Sequence, residues 1–242
     1  MGFKDPSRVQ IVQFHQSYSY EDFVHGYRPT GRGIFERRDG TFVDFVRRAQ
    51  RDTSSTFVFV IDEINRGNLS KILGELMLLI EQDKRSEQWA TKLAYAEKDA
   101  QPFFVPKNVY VLGLMNTADR SLSLVDYALR RRFAFISLEP EVTSQIFAEF
   151  LRQRGVPVEI VSGIKTRVGE LNRFIGDKTL SGLGPGFRIG HSFFVPAEDE
   201  QTFDANWYDS VIETEILPLL EEYWFDSDEL VKQWREMLLA GE

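Results

Sequence analysis

Phe57-Val58-Phe59-Val60-Ile61-Asp62-Glu63 is the stretch on which the reading of this chain turns. Its first five residues are β-branched or aromatic, and they run straight into two adjacent carboxylates. Such a run is expected to be a strand buried on both faces, central in a parallel sheet. Sheets of that kind take ligands outside the carboxyl ends of their strands. Burying an unpaired carboxylate is costly, so two acids at that edge point to chemistry rather than packing. Asp62 suits a hard cation such as Mg²⁺, and Glu63 suits a water that must be activated. A strand that exits into a solvated turn would end in the same two letters, so the neighbouring segments have to decide.

Composition narrows the field. The 242 residues suffice for one large domain or two small ones, and 43% hydrophobic residues with 13% aromatic can build a core. No apolar run reaches the roughly 18 residues that a membrane span needs. No basic-apolar start resembles a signal peptide. Cysteine is absent, which excludes disulfides and Cys-based zinc sites. A cytoplasmic location fits these features. The net charge of −8 argues against nonspecific nucleic-acid binding by the whole surface, though not against a local basic path.

Along the chain, Val9 to Phe14 alternates and reads as a strand. Ser19 to Val24 reads as a short helix with Ser19 as N-cap and Asp22 in the capping-box position, ended by Gly26 and Pro29. Residues 33–36 and 41–43 flank Arg37-Arg38-Asp39-Gly40, an Asp-Gly signal for a hairpin. Asp44 to Arg51 continues as helix, and 52–55 is a loop before the opening strand. Leu69, Ile72, Leu73, Leu76, Met77, Leu79 and Ile80 fall at helical spacing over 69–81. Trp89 to Tyr95 and Pro102 to Val105 bracket a polar turn, a second expected hairpin. Val109 to Met115 reads as a buried strand, 123–129 as a helix, and Phe133 to Leu138 as a further strand. This alternation predicts an α/β fold, an αβα layered parallel sheet over residues 1–140. Residues 141–242 are mainly helical in period, with helices over 144–154, 158–174, 207–223 and 228–239.

Three polar clusters follow or precede buried strands: Asp62-Glu63, Asn116-Thr117-Ala118-Asp119, and Arg130-Arg131-Arg132. Strand ends at one edge of a parallel sheet converge on one crevice. A carboxylate pair, an amide-hydroxyl-carboxylate group and an arginine cluster together fit phosphoryl transfer, which needs a metal, a positioned water and positive charge on the phosphates. Taken singly, the arginines also fit a solvated helix end and residues 116–119 an Asx-turn. His15 and His25 lack metal-ligand company. The glycine-rich stretch Gly182 to Gly190 follows no strand and is not read as a dinucleotide loop. Tyr18, Tyr20 and Tyr27 suit core packing or stacking on bases.

At this point a resemblance becomes specific. Phe14 to Phe23, Gly26-Tyr27-Arg28-Pro29, Ile61 to Lys71, Met115 to Ser121, Asp126 to Phe133 and Gly186 to Phe194 resemble the McrB-type AAA+ GTPase family, the motor subunits of modification-dependent restriction systems that cut methylcytosine-containing DNA. The resemblance runs from about residue 9 to the C-terminus. It implies that Asp62 and Glu63 form the Walker B element and that Asn116, Thr117 and Asp119 belong to sensor 1 and the family motif. It further implies Arg131 and Arg132 as arginine-finger candidates, with Arg188 and His191 on the sensor 2 side of the nucleotide in a helical lid. It implies two β-hairpin insertions, Mg²⁺, GTP (or ATP) as substrate, a homo-oligomeric ring, an endonuclease partner subunit, and DNA engaged through the assembled complex.

One departure stands out. No Gly-x-x-x-x-Gly-Lys-Ser/Thr occurs in these residues, and the family places that loop and its strand just before the point where this chain begins. The 242 residues alone are therefore expected to bind nucleotide weakly, and to act either as part of a hydrolysing motor core or as a non-hydrolysing assembly module.

Overall fold

The computed structural model describes residues 5–31, 33–116, 130–197 and 202–239. The chain divides into two compact units, Met1–Ile136 and Ser137–Glu242.

The first unit is built on a parallel sheet. Its elements are β1 (Val9–Gln13), α1 (Tyr20–Phe23), β2 (His25–Pro29), β3 (Phe35–Asp39), α2 (Thr41–Arg51), β4 (Phe57–Asp62), α3 (Leu69–Leu73), α4 (Leu76–Leu79) and β5 (Val109–Gly113). β4 lies between β1 and β5 and is parallel to both, so the opening stretch is the central strand of the three. It is not, however, buried on both faces. Phe57, Phe59 and Ile61 are buried, while Val58, Val60 and Asp62 are only half covered. On the buried face the ring of Phe59 meets Phe42, Phe45 and Phe23 edge-on at 5.1, 5.2 and 5.6 Å. Each such phenylalanine stabilises the fold by about 1.5–3 kcal/mol through burial. α2 closes this core because Phe42, Val43, Phe45, Val46 and Ala49 fall on one helical face. On the other face, Ile11, Val60 and Leu112 align across three strands. Ile11 is 68% exposed and Leu112 50%, since no described segment covers that side.

Several expectations are corrected. The hairpin exists one step earlier than predicted: β2 pairs antiparallel with β3, with Thr30 and Ile34 closing the turn. Gly40 is instead the N-cap of α2, which starts at Thr41, because the amphipathic pattern of 42–49 outweighs the Asp-Gly turn signal. The capping box of α1 is present as read, with Ser19 and Asp22 bonded reciprocally, but the helix stops at Phe23 and β2 follows. The helix expected over 69–81 is two short helices, broken at Gly74, whose φ of 48° and ψ of −126° lie outside helical space. The second expected hairpin reduces to one antiparallel bridge, Thr91 to Phe103. Residues 133–138 form no strand, and Phe135, Ile136 and Leu138 are exposed, because no described strand lies beside them to pair with. The helix expected over 123–129 lies outside the described residues.

The second unit is helical: α5 (Gln145–Gln153), α6 (Val158–Gly163), α7 (Gly169–Gly176), α8 (Lys178–Ser181), α9 (Ala205–Val211), α10 (Leu217–Tyr223) and α11 (Asp228–Leu239). α6 and α7 are joined by a π turn over Ile164–Val168, and α9 and α10 by another over Ile212–Ile216. Trp207, Tyr208, Trp224 and Trp234 are buried in its core. Asn172 is buried in α7, where its amide donates to the Ile189 carbonyl at 2.9 Å and accepts from the Ile189 N–H at 2.6 Å. This reciprocal pair fixes the path of the segment that carries Arg188 and His191.

Candidate functional site

The carboxyl ends of the three parallel strands are stitched together. Phe14 donates its N–H to the Asp62 carbonyl at 2.9 Å, Leu114 to the Ile61 carbonyl at 2.8 Å, and Ile64 to the Leu114 carbonyl at 2.9 Å. The residues after β1, β4 and β5 therefore share one edge, as a parallel sheet requires.

Asp62 is the last residue of β4. One of its carboxylate oxygens accepts the Glu63 N–H at 3.1 Å. That leaves the other oxygen for a cation, which suits Mg²⁺, an ion usually held by one or two carboxylates and completed by water and phosphate oxygens. Among the described residues no group of three or more His, Asp or Glu is gathered, so an ion here would draw most of its shell from outside the protein.

Glu63 has φ 51° and ψ 44°, the left-handed region. A residue with a side chain adopts it rarely, and the cost is of order 1–3 kcal/mol. The turn re-aims the carboxylate just beyond the strand end. Arg66 Nε lies 3.2 Å from Glu63 Oε2, and the Glu63 side chain is only 20% exposed. Even so, Oε2 is buried and accepts no hydrogen bond; Asn65 Oδ1 is in the same state. Two buried acceptors on one turn without an aligned hydrogen-bond donor, one of them balanced only by the Arg66 charge, fit a site that receives a water or an ion. The Asn65 amide donates to the Asn116 carbonyl at 3.4 Å, so the turn after β4 is tied to the segment after β5.

The structure thus brings Asp62, Glu63 and Asn116 together at one edge. Thr117 and Asp119 lie outside the described residues. Arg130 and Arg131 are exposed. Arg132 is held within its own unit: its Nε donates to the Met77 carbonyl at 2.6 Å, and its Nη2 lies 2.7 Å from Glu81 Oε1. Arg188 and His191 lie in the second unit. Arg188 Nη1 pairs with Glu139 Oε2 at 2.6 Å, lying where a Cβ on Gly176 would collide with it. His191 Nδ1 accepts the Glu141 N–H at 3.2 Å, and its ring meets Phe147 edge-on at 5.2 Å. Asn65 and Arg66 carry no role in the sequence reading. Their signal is position, as polar residues in the turn directly after a carboxylate-bearing strand.

A parallel sheet with a carboxylate pair at the end of its central strand, followed by a helical unit, is the arrangement of an AAA domain with an α-helical lid, and the sequence families agree. Residues 3–133 match the AAA domain family, dynein-related subfamily, and residues 163–232 match the McrB alpha-helical lid domain. The chain belongs to the AAA domain family, and its lid is of the McrB type. It is 50% identical, over 99% of its length and 52% of the relative's, to the type IV methyl-directed restriction enzyme EcoKMcrB subunit of Escherichia coli (strain K12). It is 25% identical, over 54% of its length and 48% of the relative's, to the type II restriction enzyme BsuMI component YdiS of Bacillus subtilis (strain 168). The chain spans about half the length of these curated relatives. Among the described residues no helix is long and apolar enough to cross a membrane.

Proposed function

We propose that this chain contributes the hydrolytic edge of a restriction-system AAA+ motor that uses GTP or ATP. In this reading it works in a homo-oligomeric ring, beside an endonuclease subunit, to drive DNA translocation and cleavage. The observation that carries the reading is the Asp62-Glu63 pair at the end of the central strand, with Glu63 held in a strained left-handed turn and tied through Asn65 to Asn116. Membership of the AAA family and the restriction enzymes among its relatives support it.

Within that reading each side chain has a task. Asp62 would hold Mg²⁺, which when bound offsets the charge of the phosphate oxygens. Glu63 takes a hydrogen bond from the attacking water and polarises it, its carboxylate aimed by the turn. Asn116 orients that water or touches the terminal phosphate, and Asn65 keeps its backbone in place. Arg131 is the exposed member of the finger candidates and would reach a neighbouring subunit. Arg132 would first have to leave Glu81 and Met77. Arg188 and His191 would serve the nucleotide from the lid side.

The test is Glu63→Gln in the full-length protein. Amide for carboxylate keeps the shape and removes the base, so nucleotide binding should persist while turnover falls by about 10²-fold or more. Unchanged turnover would overturn the assignment.

A further inference from the structure

We propose that a cavity beside α2, separate from the Asp62 edge, binds a phosphate ester that carries a flat organic group. The cavity measures about 440 Å³ and is lined by His25, Arg37, Arg47, Gln50, Arg51 and Phe103, among others. That volume lies within the roughly 300–1,000 Å³ usual for small-ligand sites. Neither Asp62, Glu63 nor Asn116 lines it. Arg51 closes α2, immediately before the loop that enters the start of β4, so the cavity reaches towards the opposite end of the strands from Asp62.

Its charge is what singles it out. Three arginines line one space, and no Asp or Glu among the described residues does, in a chain whose net charge is −8. Arg47 and Arg51 stand four residues apart on α2, a like-charge spacing that destabilises a helix. Arg47 Nη1 is partly neutralised by Asp39 Oδ2 at 2.7 Å. The side chains of Arg37 and Arg51 have no ion pair or hydrogen bond among the described residues. A cluster of this sign gains most from an anion that two guanidinium forks can grip, and phosphate and carboxylate are the groups that match the fork.

The walls favour the phosphate ester. Leu93 and Phe103 give the cavity buried apolar surface, and the Thr91–Phe103 bridge fixes that wall. Gln50 donates to the Phe104 carbonyl at 2.8 Å, tying α2 to the same segment. The buried His25 ring contacts the Ala94 carbonyl on one side and faces Asp39 at 3.7 Å on the other. Arginines beside apolar side chains such as Leu93, Pro102 and Phe103 suit a phosphate joined to a base or ring, whether a free nucleotide or a segment of single-stranded nucleic acid.

The experiment uses the full-length protein and a paired variant, Arg37→Gln with Arg51→Gln. Two labelled probes are titrated at low salt: a nucleoside monophosphate and a short single-stranded oligonucleotide. Loss of about tenfold or more in affinity for either probe in the variant supports the site, and the probe that responds identifies the source of the phosphate. Equal affinity of wild type and variant for both probes, or no measurable binding of either to the wild type, overturns it. Neither guanidinium has a partner to lose among the described residues, so the variant should melt at or above the wild-type temperature. Inorganic pyrophosphate should raise that temperature more in the wild type than in the variant; an equal rise in both counts against the cavity.

Discussion

Asn65 gives a side-chain amide hydrogen to the main-chain oxygen of Asn116, 3.4 Å away, and this bond joins the turn after β4 to the segment after β5. The carbonyl oxygen of the same amide is buried with nothing donating to it. The residue thus holds the site's two halves in register while contributing little net stability. For Asn65→Ala we expect turnover of the full-length protein to fall about tenfold or more. The urea-unfolding free energy should change by less than about 1 kcal/mol, since a long hydrogen bond and an unsatisfied acceptor disappear together. An unaltered kcat would remove Asn65 from the positioning role.

Gly74 separates α3 from α4 at φ 48° and ψ −126°, a conformation open to glycine. A Cβ there would also stand 2.9 Å from Cε2 of Tyr20. Gly74→Ala should cost on the order of 2 kcal/mol, the sum of backbone strain and a displaced ring. Equilibrium denaturation reads it directly; a variant as stable as the parent would mean that the helix pair straightens without penalty.

Asn108 makes a different kind of joint. Its side-chain nitrogen is 3.1, 2.9 and 2.9 Å from the carbonyls of Ala49, Asp52 and Ser55, binding the end of α2 and its loop to the start of β5. Asn108→Asp replaces the donor by a charged acceptor facing three carbonyl oxygens. We expect a loss of about 3 kcal/mol or more at neutral pH, partly recovered in acid as the new carboxyl protonates. Thermal melts at the two pH values would show it, and a pH-independent loss would contradict the account.

Asp22 supplies a pH dependence in the wild type. Burial works against its charge, but hydrogen bonds from Ser19 and Arg28 outweigh that, and its pKa is held below the ordinary 3.8. A carboxyl lowered in the folded state stabilises the fold above its unfolded pKa, and that contribution fades as pH falls through the lowered value. Asp22→Asn should therefore be the less stable protein at pH 7, with the gap to wild type closing below about pH 4. A gap that stays constant across that range would show that the charge of Asp22 is not what the cap uses.

Much of this was legible from residue order, and the failures have local causes. An unbroken apolar run ending in acids gave β4 its central place, and the strand-end rule put Asp62, Glu63 and Asn116 on one edge. In the second unit α11 spans Asp228–Leu239 as read, but the helices expected over 158–174 and 207–223 are each broken by a π segment, which an apolar period of 3.6 does not announce. Periodicity could not reveal the break at Gly74, because the apolar positions on either side keep step across it. The Asp39-Gly40 dipeptide serves a helix start as readily as a turn, and only the face formed by Phe42, Phe45 and Val46 decides between them. Residues 133–138 have strand composition, but a strand exists only with a neighbour, which composition does not supply. Asn65's bond and Arg132's ion pair with Glu81 link residues 51 apart in each case, and no spacing rule reaches that far.

Under the role proposed for Glu63, its left-handed turn sets thermostability against activity at a single position. Glycine there would adopt φ 51° without strain, and the ion pair given up is with the half-exposed Arg66, a kind worth about 0–1 kcal/mol. A screen that rewards heat resistance alone should therefore drift towards Glu63→Gly and recover proteins that are sturdier and inert. Glutamate retained at this position under such pressure would count in favour of the role proposed for its carboxylate.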